Sequence, residues 1–355
     1  MNILVIGKFC PEGFALHIAE TLVVMGHSVR RFEPGYRTSR IGGRLGHRLD
    51  QMGRVIHSAT DSLPPVRTHR MNALWRTTEE GPLDVVVVCH DFLWPAEIAE
   101  LKRQTGAQVA MWFPDSVAGF GRAYFMIAPY DALFFKDPFQ VVRLSDVMRC
   151  PVWYLPECFN PERHVLRGPL SDEELARYRC DICTAGTFHT YRAAFFEHLS
   201  GYDVRIWGDP PPLWMPQNAV TTKYGGRYVE YEEKARAFLA AKIVVNNLHY
   251  SEIWGVNART FEATGIGAFQ MVDWRPALEQ LFQDGEEVIS FRNMTDLKKK
   301  IDYWLPREHE RLAIGAAAMR RAHAEHTYRI RLELLLDALA GRGDAFPLPP
   351  LANAH

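Results

Sequence analysis

The chain has 355 residues, 47% of them hydrophobic, which suffices for substantial cores without disulfide or metal staples and points to two domains. Its 41 Lys and Arg against 42 Asp and Glu leave a net charge of −1, so the whole molecule carries no electrostatic footprint for nucleic acid. No apolar run approaches the length of a membrane span, the start lacks the basic-then-apolar order of a signal peptide, and the six scattered cysteines suit reduced buried thiols, so a cytoplasmic location is expected.

Residues 2–6 form a short apolar run ending at Gly7, the pattern of a strand covered on both faces. Phe14 to Met25 follows with helical spacing of Leu16, Ile18, Ala19, Leu22 and Val23, and Gly26 fits the helix end. Ser28 to Phe32 reads as a second strand, completing a strand–helix–strand unit. The loop from Gly7 to Gly13 lacks GxGxxG spacing, so no dinucleotide turn is predicted. Residues 27–76 hold ten arginines (Arg30, Arg31, Arg37, Arg40, Arg44, Arg48, Arg54, Arg67, Arg70 and Arg76) against Glu33, Asp50 and Asp61. That stretch suits either an anionic partner, such as an acidic membrane face, or a solvated and ion-paired surface helix.

Leu83 to Val88 is a strand ending at Cys89, His90 and Asp91; Pro95 to Thr105 is a helix; Gln108 to Trp112 is a strand ending at Phe113, Pro114 and Asp115. Strands at Tyr130 to Phe135 and Val152 to Tyr154 complete a mostly parallel sheet. A Pro- and Arg-rich link spans about 155–178. The rhythm resumes with strand Asp181 to Ala185, helix Tyr191 to Leu199, strand Val204 to Trp207, helix Tyr231 to Ala240, strand Ile243 to Val245, helix Ala258 to Thr264 and strand Ala268 to Val272. A long amphipathic helical region covers Glu308 to Ala340, and the tail from Gly341 is loose. The expected domains are 1–173 and 174–325, with 326–355 as a terminal segment. Cys180 and Cys183 have CxxC spacing, but strand alternation would place their sulfurs on opposite faces, so core packing is expected rather than metal or redox chemistry.

The richest stretch runs from Ala241 to Asp273. A buried strand enters an Asn-rich loop with Asn246, Asn247, His249 and Asn257, then a helix carrying Arg259 and Glu262 that breaks at Gly265 and Gly267. Polar groups at a strand end and a helix start suit a phosphorylated ligand, whose oxygens need donors and a positive helix end. A nearby carboxylate can accept hydrogen bonds from paired sugar hydroxyls.

Three blocks here (Lys242 to Asn246, Asn257 to Glu262, and Gly267 to Phe269) resemble the C-terminal signature of CgeB-like glycosyltransferases, within the group-1, GT-B set. The Gly285 to Val288 turn and Asp296-Leu297 extend the resemblance, more weakly, over roughly residues 82–335. It implies an α/β GT-B fold: two Rossmann-like domains facing across a cleft, the second binding a nucleotide-sugar donor and the first an acceptor. It also implies a last helix that crosses back onto the first domain.

By the resemblance, Glu262 binds the donor ribose, and Arg192 stands where the family often has an arginine. Arg259 lies one turn before Glu262 and suits a bidentate phosphate grip, with an intrahelical ion pair as the plain alternative. For Glu262 the plain alternative is a first-turn glutamate answering the helix dipole. The loop Gly186 to Arg192 follows a strand and opens a helix, with Thr187 near its start and Thr190 as expected N-cap. Asn246, Asn247, His249 and Asn257 supply neutral donors and acceptors or serve as turn formers. Tyr228 stacks on a base or packs in the core. Asp115, His90 and Asp91, at strand ends of the first domain, are the candidate catalytic bases, with capping as the alternative. No Asp-any-Asp triplet follows a strand, which favours metal-free chemistry with no cofactor. The expected partners are a nucleotide-sugar donor and a glycan, lipid-linked, small-molecule or protein acceptor, but not nucleic acid. A nucleotide-sugar epimerase of the same fold and a non-catalytic nucleotide-sugar-binding protein are the rival readings.

Overall fold

The computed structural model describes residues 1–34, 52–53, 56, 59–60, 63–212 and 214–350. Arg37, Arg40, Arg44, Arg48 and Arg54 of the basic stretch lie outside the described residues. Of the others, Arg30 donates to the Thr77, Gly81 and Pro82 carbonyls and Arg67 pairs with Glu97, so both are engaged in structural contacts.

Two parallel sheets organise the chain. The first has the order β2-β1-β3-β4-β5-β6, from Asn2–Ile6 (β1), Ser28–Phe32 (β2), Val85–Val88 (β3), Gln108–Phe113 (β4), Ala132–Phe135 (β5) and Val152–Tyr154 (β6). The second has the order β11-β10-β9-β7-β8, from Cys180–Ala185 (β7), Val204–Trp207 (β8), Ala241–Asn246 (β9), Gln270–Asp273 (β10) and Ile289–Phe291 (β11). Continuous apolar runs such as Val85–Val88 and Ala132–Phe135 are buried along their whole length, because helices cover both faces of a parallel sheet. Among the described residues no helix is long and apolar enough to cross a membrane.

The last helical region is not continuous. Helices Glu308–Glu325 and Tyr328–Leu339 are separated at His326 and Thr327. His326 is buried, bonded to the Leu281 carbonyl and to Arg331, and Thr327 caps the second helix through Ile330 N. Those tertiary bonds outweigh the amphipathic periodicity that runs through the break. The second helix then lays Tyr328, Leu332, Leu335 and Leu339 into the core beneath β1 and the Phe14–Val24 helix.

Three other expectations are corrected. The 155–178 link contains a helix, Asp172–Tyr178, opened by a Ser171/Glu174 capping box. Gly265 does not break its helix, which continues to Ile266 before Gly267 turns left-handed at φ 89°. Gly265 instead packs against Phe159, where a β-carbon would stand 2.4 Å from the ring. Finally, Cys180 and Cys183 share one face, in the same apolar cluster, where Cys180 Sγ donates to the Ile182 carbonyl at 3.4 Å and Cys183 Sγ to the Ala237 carbonyl at 3.8 Å. The amides of Asp181 and Ile182 both bond to the Asp203 carbonyl, so the strand begins irregularly on its β8 side while its register on β9 stays even.

Candidate functional site

The carboxyl ends of both sheets face one cleft of about 270 Å³, just below the usual range of small-molecule pockets. One wall comes from the first sheet: Glu12 after β1, Asp115 after β4, Lys136 after β5 and Glu157 after β6. The other comes from the second sheet and its helices: Gly186, Tyr228, Lys234, Glu252, Asn257, Arg259 and Glu262. Strand-end positions in parallel sheets place polar side chains at one edge, where the helices that follow also begin.

Two guanidiniums converge at the foot of β7. Gly186 takes φ 124°, and a β-carbon there would stand 2.6 Å from Arg259 Nη2 and 3.0 Å from Arg192 Nη1. Arg192 donates to the Thr187 carbonyl at 2.7 Å and Asn247 Oδ1 at 3.4 Å; Arg259 donates to Asn246 Oδ1 at 2.9 Å. All of these acceptors are neutral. Among the described residues neither arginine pairs with a carboxylate, so the plain alternative for Arg259, an intrahelical pair with Glu262, is not formed. Burial first, and then the like charge of Arg259, push the Arg192 pKa well down. Burial also lowers that of Arg259, despite the opposing charge of Glu262. An anion between the two would relieve both effects.

The asparagines brace this pair. Asn246 is fully buried and joins Asn257 and Thr260 at 3.0 Å each, which fixes the oxygen that orients Arg259. Asn247 leaves its Nδ2 buried without a partner. The N-cap of the Thr190–Glu197 helix is His189, whose Nδ1 accepts from Arg192 N at 3.2 Å; Thr190 is the first helical residue and exposed. Burial, with the Arg192 charge, takes His189 down to about 4, so it stays a neutral acceptor, and this capping role was not legible from the favoured Ser, Thr, Asp and Asn. His249 sits outside the cleft lining, bonded to Ser251 at 2.6 Å among Tyr191, Tyr250 and His189. Tyr228 lines the cleft and is exposed, so it is not a core aromatic.

On the opposite wall, Asp115 is exposed and its Oδ2 lies 3.4 Å from His90 Nε2. That contact holds the Asp115 carboxyl below its usual value, so it is ionised at neutral pH. Asp91 lies outside the lining. Its carboxylate accepts from the amides of Tyr124 and Phe125 at 2.7 and 2.9 Å, which is the capping alternative rather than a reach into the cleft.

Five charged cleft residues were not singled out from the sequence: Glu12, Lys136, Glu157, Lys234 and Glu252. Lys136 bridges Glu252 at 2.7 Å and Glu157 at 3.3 Å. Burial opposes its charge, but the two glutamates raise its pKa; Glu157, by burial, is pushed up to about 7. Glu252 Oε2 is buried without a partner. Lys136 and Glu157 closely follow predicted strands, so the strand-end rule alone could have found them.

Glu12, His17 and His164 gather as a metal site would. The Asn160 amide donates to His164 Nδ1 at 3.2 Å, so Nε2 of the neutral ring carries the proton and donates to Glu12 at 3.1 Å. The Lys234 ammonium already occupies the other side of Glu12. Metal-bound histidines instead donate through their second nitrogen, so this arrangement fits an ion-pair network better than a metal.

Residues 191–337 match a family model described as glycosyl transferase-like. The chain is similar in structure to a sucrose-phosphate synthase from Thermosynechococcus elongatus, with a TM-score of 0.66 and 12% identity over 97% of this chain and 100% of that one. A glycosyltransferase from Rickettsia africae gives 0.65 at 14% identity, covering 96% and 99%. The Anabaena protein HepE, in complex with UDP and glucose, gives 0.62 at 12%, covering 96% and 100%. The fold is GT-B. No curated protein sequence matches the chain.

Proposed function

We propose that this protein is a metal-independent glycosyltransferase of the CgeB-like kind, moving a sugar from a nucleoside-diphosphate donor to an acceptor hydroxyl. The observation that carries the reading is the convergence of Arg192 and Arg259 on Gly186 with no carboxylate paired to either among the described residues. Two cations held by neutral acceptors at strand and helix ends suit a diphosphate, and supply the positive charge that a divalent ion provides in other transferases. The match of residues 191–337 to a glycosyl transferase-like family, and the similarity to a protein solved with UDP and glucose, support the same reading.

In this mechanism the bond between the anomeric carbon and the phosphate oxygen breaks, and its electron pair stays on the phosphate. Arg192 and Arg259 stabilise the charge that grows there. The acceptor oxygen bonds to the anomeric carbon. Its proton passes to the ionised Asp115, beside His90, in an inverting reaction, or to the departing phosphate in a retaining one.

The test is a thermal shift of the full chain against UDP, GDP, TDP and ADP. One of them should stabilise the fold, by about 2.7 kcal/mol at a hundredfold excess over Kd. No response to any of the four would refute the donor site. Release of that diphosphate from its sugar only when acceptor is present identifies transfer, whereas interconversion of the sugar would identify an epimerase.

A further inference from the structure

We infer that Lys234, held by Glu12 from the opposite wall of the cleft, is the second half of the device that recognises the donor ribose. Glu262 accepts a hydrogen bond from one hydroxyl of the cis-diol, and the Lys234 ammonium donates to the oxygen of the other. This rests on the donor reading of the cleft and adds to it two residues from elements that the 241–273 signature does not contain.

The bonding inventory leads there. Both oxygens of Glu12 are engaged: Oε1 accepts from Tyr231 N at 2.6 Å, and Oε2 accepts from His164 Nε2 at 3.1 Å and from Lys234. Its side chain is only 6% exposed. Only one oxygen of Glu262 is engaged. Its Oε2 accepts from Lys234 at 3.0 Å, whereas His164 Nε2 stands 3.8 Å from Oε1, beyond hydrogen-bond range. Lys234 has three donors and uses two, on Glu12 and Glu262. Both Glu262 and Lys234 line the cleft. One open acceptor next to one open donor matches a vicinal diol, in which each hydroxyl can give or take a hydrogen bond.

Charge and backbone agree. Two carboxylates share a single ammonium, so the cluster carries excess negative charge beside the cleft and gains from a hydroxyl donor. Glu12 and Tyr231 adopt left-handed φ values of 59° and 50°, two of the three such non-glycine residues among the described positions. They meet each other: Glu12 N donates to the Tyr231 hydroxyl at 3.1 Å while Tyr231 N donates to Glu12. Such backbone persists where the surroundings over-determine it, here on both sides of one interdomain contact. Glu12 therefore sets the position of Lys234 from 222 residues away, which makes Glu12 a positioning residue and Lys234 a binding residue.

The experiment is isothermal titration of the full chain with UDP, GDP and ADP and with their 2′-deoxy and 3′-deoxy counterparts, for the native protein, Glu12→Gln and Lys234→Gln. Inorganic pyrophosphate serves as the probe of the arginine pair alone. The native protein should bind the ribonucleotide about tenfold or more tightly than at least one deoxy form, as expected for a lost bond to a charged group. In both variants that ratio should fall below about threefold while pyrophosphate affinity is unchanged. Retention of the ratio in both would overturn the inference. Should Lys234→Gln not fold, Glu12→Gln decides alone, because it keeps the Lys234–Glu262 pair. Equal binding of ribo and deoxy forms by the native protein overturns this inference and leaves the donor reading standing; binding of no nucleoside diphosphate overturns both.

Discussion

Replacing Arg259 by methionine separates the ligand-binding and folding roles of the cleft. The side chain gives up one bond, Nη1 to Asn246 Oδ1 at 2.9 Å, and the abandoned oxygen keeps Asn257 Nδ2 at 3.3 Å. Loss of one bond to a charged group with its acceptor still partly satisfied costs the fold about 1 kcal/mol. Against this stands relief of the like charge that depresses Arg192 and of the burial that depresses Arg259 itself. The two contributions offset, so the free protein should unfold within about 1 kcal/mol of the native one in urea. Diphosphate binding has no such compensation. Losing a charge-assisted, two-pronged contact should weaken the favoured nucleoside diphosphate by about 1.5–3 kcal/mol, or roughly 10- to 150-fold in Kd. Titration calorimetry at fixed ionic strength measures that change, and urea melts measure the other. Native affinity in Arg259→Met would refute the assignment of the arginine pair to phosphate; a loss of several kcal/mol of stability would show that the guanidinium serves the fold instead.

Asp115→Asn keeps the contact near His90 but removes the proton acceptor, so diphosphate release in the presence of acceptor should fall by about a hundredfold or more with donor affinity unchanged. Normal turnover would exclude the base. Stability should also depend on pH through His17. Burial, reinforced by His164, lowers its pKa from 6.5 to about 4, so the folded state holds it neutral while the unfolded chain takes up a proton below 6.5. Its contribution is therefore fully present above pH 6.5 and is lost as pH falls toward 4, by up to about 3 kcal/mol. His17→Gln should flatten the urea-melt stability over that window; an unchanged slope would mean that other groups carry it.

The local chemistry of the chain was legible because it is periodic. Unbroken apolar runs at Asn2–Ile6 and Val85–Val88, and the Pro95–Thr105 and Tyr231–Ala240 helices, follow from side-chain patterning and from turn residues at their ends. Arg259, Asn257 and Glu262 could be proposed together because a single turn of helix joins them, and the structure places all three on the cleft. What neighbours in sequence could not show is which distant groups compensate one another. Lys136 meets Glu252 across 116 residues, and Glu12 meets Lys234 across 222; neither pair leaves a local pattern. The same limit explains His189 displacing Thr190 as the cap and His326 interrupting the last helical stretch. Each is held by partners that only the folded chain brings near. Sequence alone determined the alternation of strands and helices and one half of the site, since both depend on contacts within a few residues. Tertiary structure decided the charge balance of the cleft, since a buried lysine needs carboxylates within hydrogen-bond reach, and Glu12 for Lys234 and Glu252 for Lys136 came from the opposite wall.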